Sequence, residues 1–462
     1  MANEPDEVNS IGWMDAIGLP QILRILGVAL HPSKLALALA AIFLTFALGG
    51  VLDWFWTRGG GIEEQAITSF IAARADGRTY EEGEGSHGIF EVWRHHEQRC
   101  VTGLLGAALP ETSLATGTSV GAYVRSLSAN RPLPNLLGIG YGVLWMAKSH
   151  PVFFLLFGGG SLLIWSLFGG AICRLAVVQF ARDEKLPMRD ALAYAWPRLL
   201  GSFLPAPCIP LAFILIIAIA LALGGALLRV PILGDLLSGV AFLLAILGGF
   251  VIAVLMVGLV VGGSLFWPAV AAEGSDAFDA FSRGLSYPLT RPLKAIVYTI
   301  LALLLTSICW VLANLFTYLS LTITRGVVGF GTSPFGWWSR GEGSAHVSKL
   351  DLLWPVSGPG ARHVWPNWGD LTWYEHFSGF LIGVCVLIVV GLLWSFLASF
   401  YFSASTAIYL LLRRDVDGVD LEDVYSEDGT DDGDANEPAP PADDKPQTDT
   451  SDISLPVTNP DG

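Results

Sequence analysis

The sequence predicts an all-α polytopic membrane fold: about six transmembrane helices, interfacial amphipathic helices and two long extracytoplasmic loops. Three observations carry that expectation. Of the 462 residues, 53% are hydrophobic and only 15% are charged, where a soluble globular chain carries nearer ~25% charge. The apolar residues are gathered into long unbroken stretches, which raises the mean hydropathy to +0.55. The formal charge of −15 is also confined to one end. Residues 415–462 hold 16 acidic groups against Lys445 alone, and the other 414 residues balance 25 basic against 25 acidic groups. This balance excludes a disordered chain and disfavours an ordinary cytosolic enzyme. What is left is a neutral membrane body with an acidic tail.

A helix needs about 20 mostly apolar residues to cross a hydrocarbon core of ~30 Å. Residues 35–51, 151–173, 208–228, 239–266, 295–324 and 377–412 qualify, and none of them contains Asp, Glu, Lys, Arg or His. Asp53, Arg174, Arg229 and Arg325 stand just beyond the ends. The first stretch begins after 34 residues, and its flank carries Glu4, Asp6, Glu7 and Asp15. No small-residue cleavage site precedes Asp53, so it reads as an uncleaved anchor.

Orientation follows from Lys and Arg near the span ends. One side collects Arg24, Lys34, Arg174, Arg182, Lys185, Arg189, Arg198, Arg283, Arg291, Lys294, Arg413 and Arg414. The other side has only Arg58, Lys148, Arg229 and Arg325. Both termini are therefore expected in the cytoplasm of a cell with this chain in its inner (plasma) membrane. Residues 57–150 and 326–376 are expected on the outer side.

The outer segment 57–150 reads as a small helical subdomain. Helices are expected over residues 62–75 and 89–108, separated by the glycine-rich 82–88, with Ile89, Trp93 and His96 on one stripe. Residues 135–148 are apolar but too short to span, and so are expected to be interfacial or buried. The second outer loop carries Trp337, Trp338, Trp354, Trp365, Trp368 and Trp373 among Pro334, Pro355, Pro359 and Pro366. Tryptophan prefers the headgroup level, which predicts a loop lying on the outer leaflet. Cys173, Cys208, Cys309 and Cys385 fall in or at the ends of spans, Cys100 stands alone in the outer segment, and no CxxC or disulfide framework is present.

Two connections on the cytoplasmic side look alike. After Gly169-Gly170 the chain reads AICRLAVVQFARDEKLPMRDALAYAWPRLLGSF, and after Gly262-Gly263 it reads SLFWPAVAAEGSDAFDAFSRGLSYPLTRPLKAI. Met188, Leu192, Trp196 and Leu199 recur at helical spacing in the first, and Phe278, Phe281, Leu285 and Leu289 in the second. Short amphipathic helices with arginine on the polar face lie in the membrane interface. The loose correspondence is consistent with an internal duplication. The AAEG-x-x-A-x-x-A pattern at residues 271–280 resembles the membrane domain that precedes the catalytic domain in some glycerophosphodiester phosphodiesterases, within a broad set of uncharacterised bacterial polytopic proteins. That resemblance covers residues 151–325. It implies a helical membrane fold and brings no catalytic residues.

Candidate sites are few. His87, Glu91 and His95 fall at i, i+4 and i+8 on one helix, with His96 and Cys100 beside them. Such groups hold metals, but residues two turns apart stand about 12 Å from each other and the pattern is not HExxH. A solvated helical face is the favoured reading and metal binding the alternative. In the tail, Asp428 and Gly433 fit an EF-hand start, but Ala439 occupies the position of the bidentate Glu. The tail's like charge and Pro438, Pro440, Pro441 and Pro446 favour disorder. Glu273, Asp276 and Asp279 lie beside Arg283 and read as interfacial ion pairing. Gly258/Gly262 and Gly379/Gly383 permit close helix approach, either within the chain or between two copies. No Walker loop is present and no glycine pattern makes a convincing dinucleotide fingerprint, no cofactor is implied, and the few basic residues offer nucleic acid nothing.

The functional expectation is a non-catalytic envelope protein, solvated by the lipid bilayer, that recruits a cytoplasmic protein partner through its tail. A transporter or channel for a neutral or lipid-like solute is the alternative, with Pro205, Pro207 and Pro210 breaking the start of the third span. It meets the difficulty that the spans lack ionisable residues. A lipid-modifying membrane enzyme is the third reading.

Overall fold

Proline opens five of the helices, where its missing N–H is unneeded and its fixed φ suits the first turn. The computed structural model describes residues 19–104, 132–227, 233–332, 349–354 and 371–425. The chain runs through α1 (Leu19–Ala29), α2 (Pro32–Trp56), β1 (Gly61–Ile62), α3 (Ala66–Ala75), β2 (Glu84–Gly85), α4 (Ile89–Leu104) and α5 (Pro132–Ser149). It continues through α6 (Pro151–Arg182), α7 (Met188–Arg198), α8 (Pro205–Leu227), α9 (Leu233–Gly262), α10 (Phe266–Glu273) and α11 (Ala277–Thr290). Last come α12 (Pro292–Thr332), α13 (Lys349–Leu353) and α14 (Trp373–Asp417). Among the described residues, six helical stretches are long and apolar enough to cross a membrane: Pro32–Gly59, Pro151–Arg182, Met188–Ala226, Phe242–Glu273, Pro292–Gly331 and Trp373–Asp417. Each contains most or all of one stretch expected from sequence, so the protein is an all-α polytopic membrane protein.

α2, α6, α12 and α14 form the bundle, with α14 against the other three. α8 and α9 pair with one another and meet the rest through α11 at one end. That end, marked by Glu273, holds the main core. There the second half of α6 (Ala171, Cys173, Ala176, Val177) packs on α10 (Phe266, Ala269, Ala271) and α14 (Phe400, Ala407, Tyr409). Lys34 is buried there too, with its Nζ donating to the Val28 carbonyl at 2.8 Å and to Gln179 Oε1 at 2.7 Å. At the opposite end, marked by Asp53, a second core gathers large rings, among them Phe70, Phe90, Trp145, Phe153 and Phe157.

Several expectations change in detail. Ile62 belongs to a ribbon rather than a helix, because Gly61 lets β1 approach β2 so closely that a Cβ there would lie 2.5 Å from the Gly85 carbonyl oxygen. α4 ends at Leu104, and residues 105–108 lie outside the described residues. Residues 135–148 fall within α5, whose Trp145 is fully buried. Of the loop tryptophans, Trp354 is not spread on a surface. It is buried beside Leu321 and Leu350, and the Arg325 guanidinium donates to its carbonyl at 2.7 Å. Trp373 is exposed, and Trp337, Trp338, Trp365 and Trp368 lie outside the described residues.

The stripes expected on the two connecting helices are split, since Leu199 is buried and Leu192 and Phe281 pack against the main core. Met188 and Trp196 of α7, and Phe278 and Leu289 of α11, point off the protein. The buried face of each is built from small residues and one tyrosine: Ala191, Tyr194 and Ala195 in α7, and Ala277, Ala280, Gly284 and Tyr287 in α11. In lipid, large apolar side chains gain nothing by turning inward, and small ones let helices approach. The likeness of the two connections persists in three dimensions. A left-handed residue, Asp183 (φ 58°) or Gly274 (φ 65°), ends the preceding helix. The helix that follows carries an internal proline at the same interval, Pro197 or Pro288.

α14 continues past the apolar stretch to Asp417 and stops at Gly418, whose φ of 71° is left-handed. The chain then folds back. Arg413 Nη1 donates to the Asp423 carbonyl at 2.6 Å, Arg182 Nη2 donates to that of Val424 at 3.2 Å, and Val424 is buried. Residues 413–424 thus pack with the body, and Arg413 turns inward instead of marking the membrane edge. Met1–Val424 forms one compact unit and Tyr425–Gly462 another; the Asp428–Ala439 segment lies outside the described residues.

Candidate functional site

Two polar clusters stand out, one at each end. The first grows from the AAEG turn. Gly274 takes the left-handed conformation that lets α10 stop, and Asp276 caps α11 by accepting from the Asp279 N–H at 2.8 Å. The turn leaves Glu273 beneath the bundle, its side chain 8% exposed, with Arg283 Nη1 at 2.5 Å on one oxygen. Arg413 Nε lies 3.3 Å from the other oxygen, to which the Tyr409 hydroxyl also donates. Arg283 further pairs with Asp279 at 3.0 Å, so the ion pairing expected around Glu273 and Asp279 is present.

Around this knot, Tyr287 donates to Asp417, Tyr298 donates to Asp415 at 2.9 Å, and Lys294 pairs with Asp415 at 2.9 Å. Burial, reinforced by the Asp417 acceptor, pushes the Tyr287 phenol up to about 12, so it remains a donor at any physiological pH. The last carbonyls of α10 are also satisfied. Arg174 Nη1 donates to Ala271 at 3.0 Å and the Tyr194 hydroxyl to Val270 at 2.8 Å. The acids expected to group here are each tied to a cation or a backbone N–H. Chemically the arrangement is a clamp joining α10, α11, α12 and α14.

The second cluster sits on α4. Asp53, at the end of α2, accepts from the Phe90 N–H at 2.8 Å and the Glu91 N–H at 3.0 Å, where the helix dipole favours a carboxylate. Gly88 is needed beside it, since a Cβ there would lie 2.2 Å from Asp53 Oδ2. The five residues singled out from sequence divide between two faces. Glu91 lies between His87 (Nδ1, 3.3 Å) and His95 (Nε2, 3.9 Å), one histidine on each of its oxygens. His96 instead faces α5, its Nε2 2.9 Å from the Gly138 carbonyl and 3.6 Å from Cys100 Sγ. Among the described residues no three His, Cys, Asp or Glu side chains are grouped to hold one ion.

Sequence gave no sign of Glu97, which stands between these faces against Gly142. Its Oε1 is buried without a hydrogen-bond partner among the described residues. Burial pushes its carboxyl up to about 8, with the Trp93 indole opposing. Near the mouth of α2, a cleft of about 460 Å³ lies between Trp56, Ile62, Glu82, Glu84, His87 and His150, with His150 bonded to Glu82 at 3.0 Å.

The glycine pairs have unequal fates. A Cβ on Gly258 would meet Leu285 Cδ1 at 2.4 Å, and one on Gly262 the Gly284 carbonyl at 2.5 Å. Both glycines therefore seat α11 within the chain. Gly379 and Gly383 are buried in α14.

The chain matches no family model, no curated protein and no solved structure.

Proposed function

We propose that the protein is a non-catalytic multi-pass protein of a bacterial inner membrane that presents its acidic C-terminal segment to a cytoplasmic partner. Both termini are then cytoplasmic, in accord with twelve basic residues near one set of span ends and four near the other. The observation that carries the reading is the anchoring of the tail's root. Arg413 is held by Glu273, and Arg413 and Arg182 in turn hold the carbonyls of Asp423 and Val424. The fifteen excess negative charges of residues 415–462 thus begin from a rigid base at the surface expected to face the cytosol.

Against an enzyme stand the ties on the acids at the knot. Against a through-going carrier stands the dense Glu273 end, where Phe203, Phe266, Phe400 and Tyr409 are all under 2% exposed. The likeness of residues 271–280 to the phosphodiesterase membrane domains fits an anchoring role, since those domains precede a separate catalytic unit. A homodimer through Gly258/Gly262 would have to displace α11, and Gly379 and Gly383 are likewise buried within the chain.

The experiment is crosslinking and pull-down from membranes of the full chain against a chain ending at Val424. Loss of a specific partner with the truncated chain supports the reading. An unchanged partner list overturns it.

A further inference from the structure

The polar helix α4 is not where its composition would place it. Its first turn is capped by Asp53 at the end of α2, and Phe90 then packs on Phe46 at 5.7 Å between ring centroids and against Gly49. One turn further, the Arg94 guanidinium lies 5.6 Å above the same Phe46 ring. Two turns beyond that, Val101 packs against Trp310 and Leu393, which stand near the midpoints of α12 (Pro292–Thr332) and α14 (Trp373–Asp417). α4 therefore descends alongside α2 to the middle of the two longest spans. α5 returns beside it, with Gly138 and Gly142 receiving Cys100 and Glu97.

Flanking Trp310 on α12, Ile308 is 51% and Leu312 60% exposed, as suits contact with lipid tails. The face of α4 turned away from α2 and α5 is instead polar: Glu91, Gln98 and Thr102, each partly exposed. Glu91 stands at the Asp53 end, whereas Gln98 and Thr102 lie two to three turns deeper. An amide and a hydroxyl are tolerated at hydrocarbon depth only against protein or water, and re-entrant segments are found where they are buried in protein or line an aqueous cavity.

We infer that α4 and α5 form a re-entrant hairpin whose Glu91–Gln98–Thr102 face lines a water-filled recess. The recess reaches mid-membrane from the Trp56 side and ends blind on the Glu273 core. It admits water and small hydrophilic ions from that side without letting them pass. This goes beyond the anchoring role and does not depend on it.

The test is the reaction of single cysteines with a membrane-impermeant methanethiosulfonate carrying a quaternary ammonium. It uses full-length protein in oriented vesicles, with the wild-type chain and its five native cysteines as baseline. Gln98→Cys and Thr102→Cys read the recess, and Ile308→Cys and Leu312→Cys read the lipid face at the same level. The expected result is reaction of the first pair from the Trp56 side at least tenfold faster than the second. Glu91→Cys, at the mouth, replaces Gln98→Cys if that variant fails to accumulate in membranes at the wild-type level.

Equal rates at all four sites would mean that the whole level is wet and α4 is not re-entrant. No reaction of Gln98→Cys and Thr102→Cys above baseline would mean a dry face. Reaction only from the opposite side would place the opening at the Glu273 end. Any of the three overturns the inference.

Discussion

At the Glu273 end, small residues close the helices together, and Glu273, Asp279, Asp415 and Asp417 each meet a guanidinium, an ammonium or a phenol. Ala176, Ala195, Ala269, Ala271, Ala280 and Ala407 are all fully buried there. The Asp53 end is built from rings, with Phe46 on Phe90, Trp56 on Phe153 and Trp93 on Phe157 at 5.3–5.7 Å. Its carboxylates meet backbone N–H groups and imidazoles, and Glu97 Oε1 has no hydrogen-bond partner among the described residues. In lipid, apolar burial does not draw helices together, so association rests on close packing and polar bonds. The first end has both. The second has bulky packing, and a carboxylate, Glu97, whose Oε1 lacks a hydrogen-bond partner among the described residues.

The contrast is broken most severely at Glu273. Glu273→Ala leaves Arg283 and Arg413 facing each other without their shared carboxylate, and the cost should be about 3 kcal/mol. That is the low end for breaking a buried pair, because Arg283 is 37% exposed. The readout is membrane-accumulated protein and detergent Tm, with Glu273→Gln recovering part of the loss by retaining an acceptor for Tyr409. Next comes Gly262→Ala, which drives a methyl onto the Gly284 carbonyl oxygen. Overpacking of this kind costs about 1–3 kcal/mol. Gly140→Ala on α5 meets nothing within 4 Å and should leave Tm unchanged or slightly raised.

A pH titration sharpens the comparison at the other end. The Glu97 carboxyl is raised in the folded protein from its usual 4.5 to about 8. Its contribution to the α4–α5 contact is therefore complete below about pH 4.5 and lost as pH rises through 8. Protease resistance of the α4–α5 segment should fall across that window in the wild type and stay level in Glu97→Gln. A wild-type profile as level as that of the variant would remove Glu97 from the account. The smallest effect is expected at Arg58, whose guanidinium lies 3.9 Å over the exposed Trp54 ring. Arg58→Ala should cost no more than about 0.5–1 kcal/mol in detergent Tm.

The six spans were legible because an apolar run long enough to cross a membrane is a local property of sequence. The knot was legible only in part. Glu273, Asp279 and Arg283 sit within one connection, but Arg413 and Tyr409 reach them from a distant helix, and no pattern joins the two. The stripes on α7 and α11 were read as apolar faces lying in the membrane interface, and Met188, Trp196, Phe278 and Leu289 are exposed while Leu199 and Phe281 turn to the core. The packed face was not legible from the stripes, because small residues and a tyrosine mark it. α4 was the least legible element. Arg94, His95, His96, Glu97, Gln98 and Arg99 in succession read as an outer loop, and only Val101 against Trp310 reveals its depth.

The central claim, one end of the bundle closed and dry and the other penetrated by a wet polar helix, is tested most directly by hydrogen exchange of the full chain in lipid nanodiscs. Amides of residues 89–104 should exchange at least a hundredfold faster than those of residues 171–181 on α6. Equal protection of the two segments would contradict it.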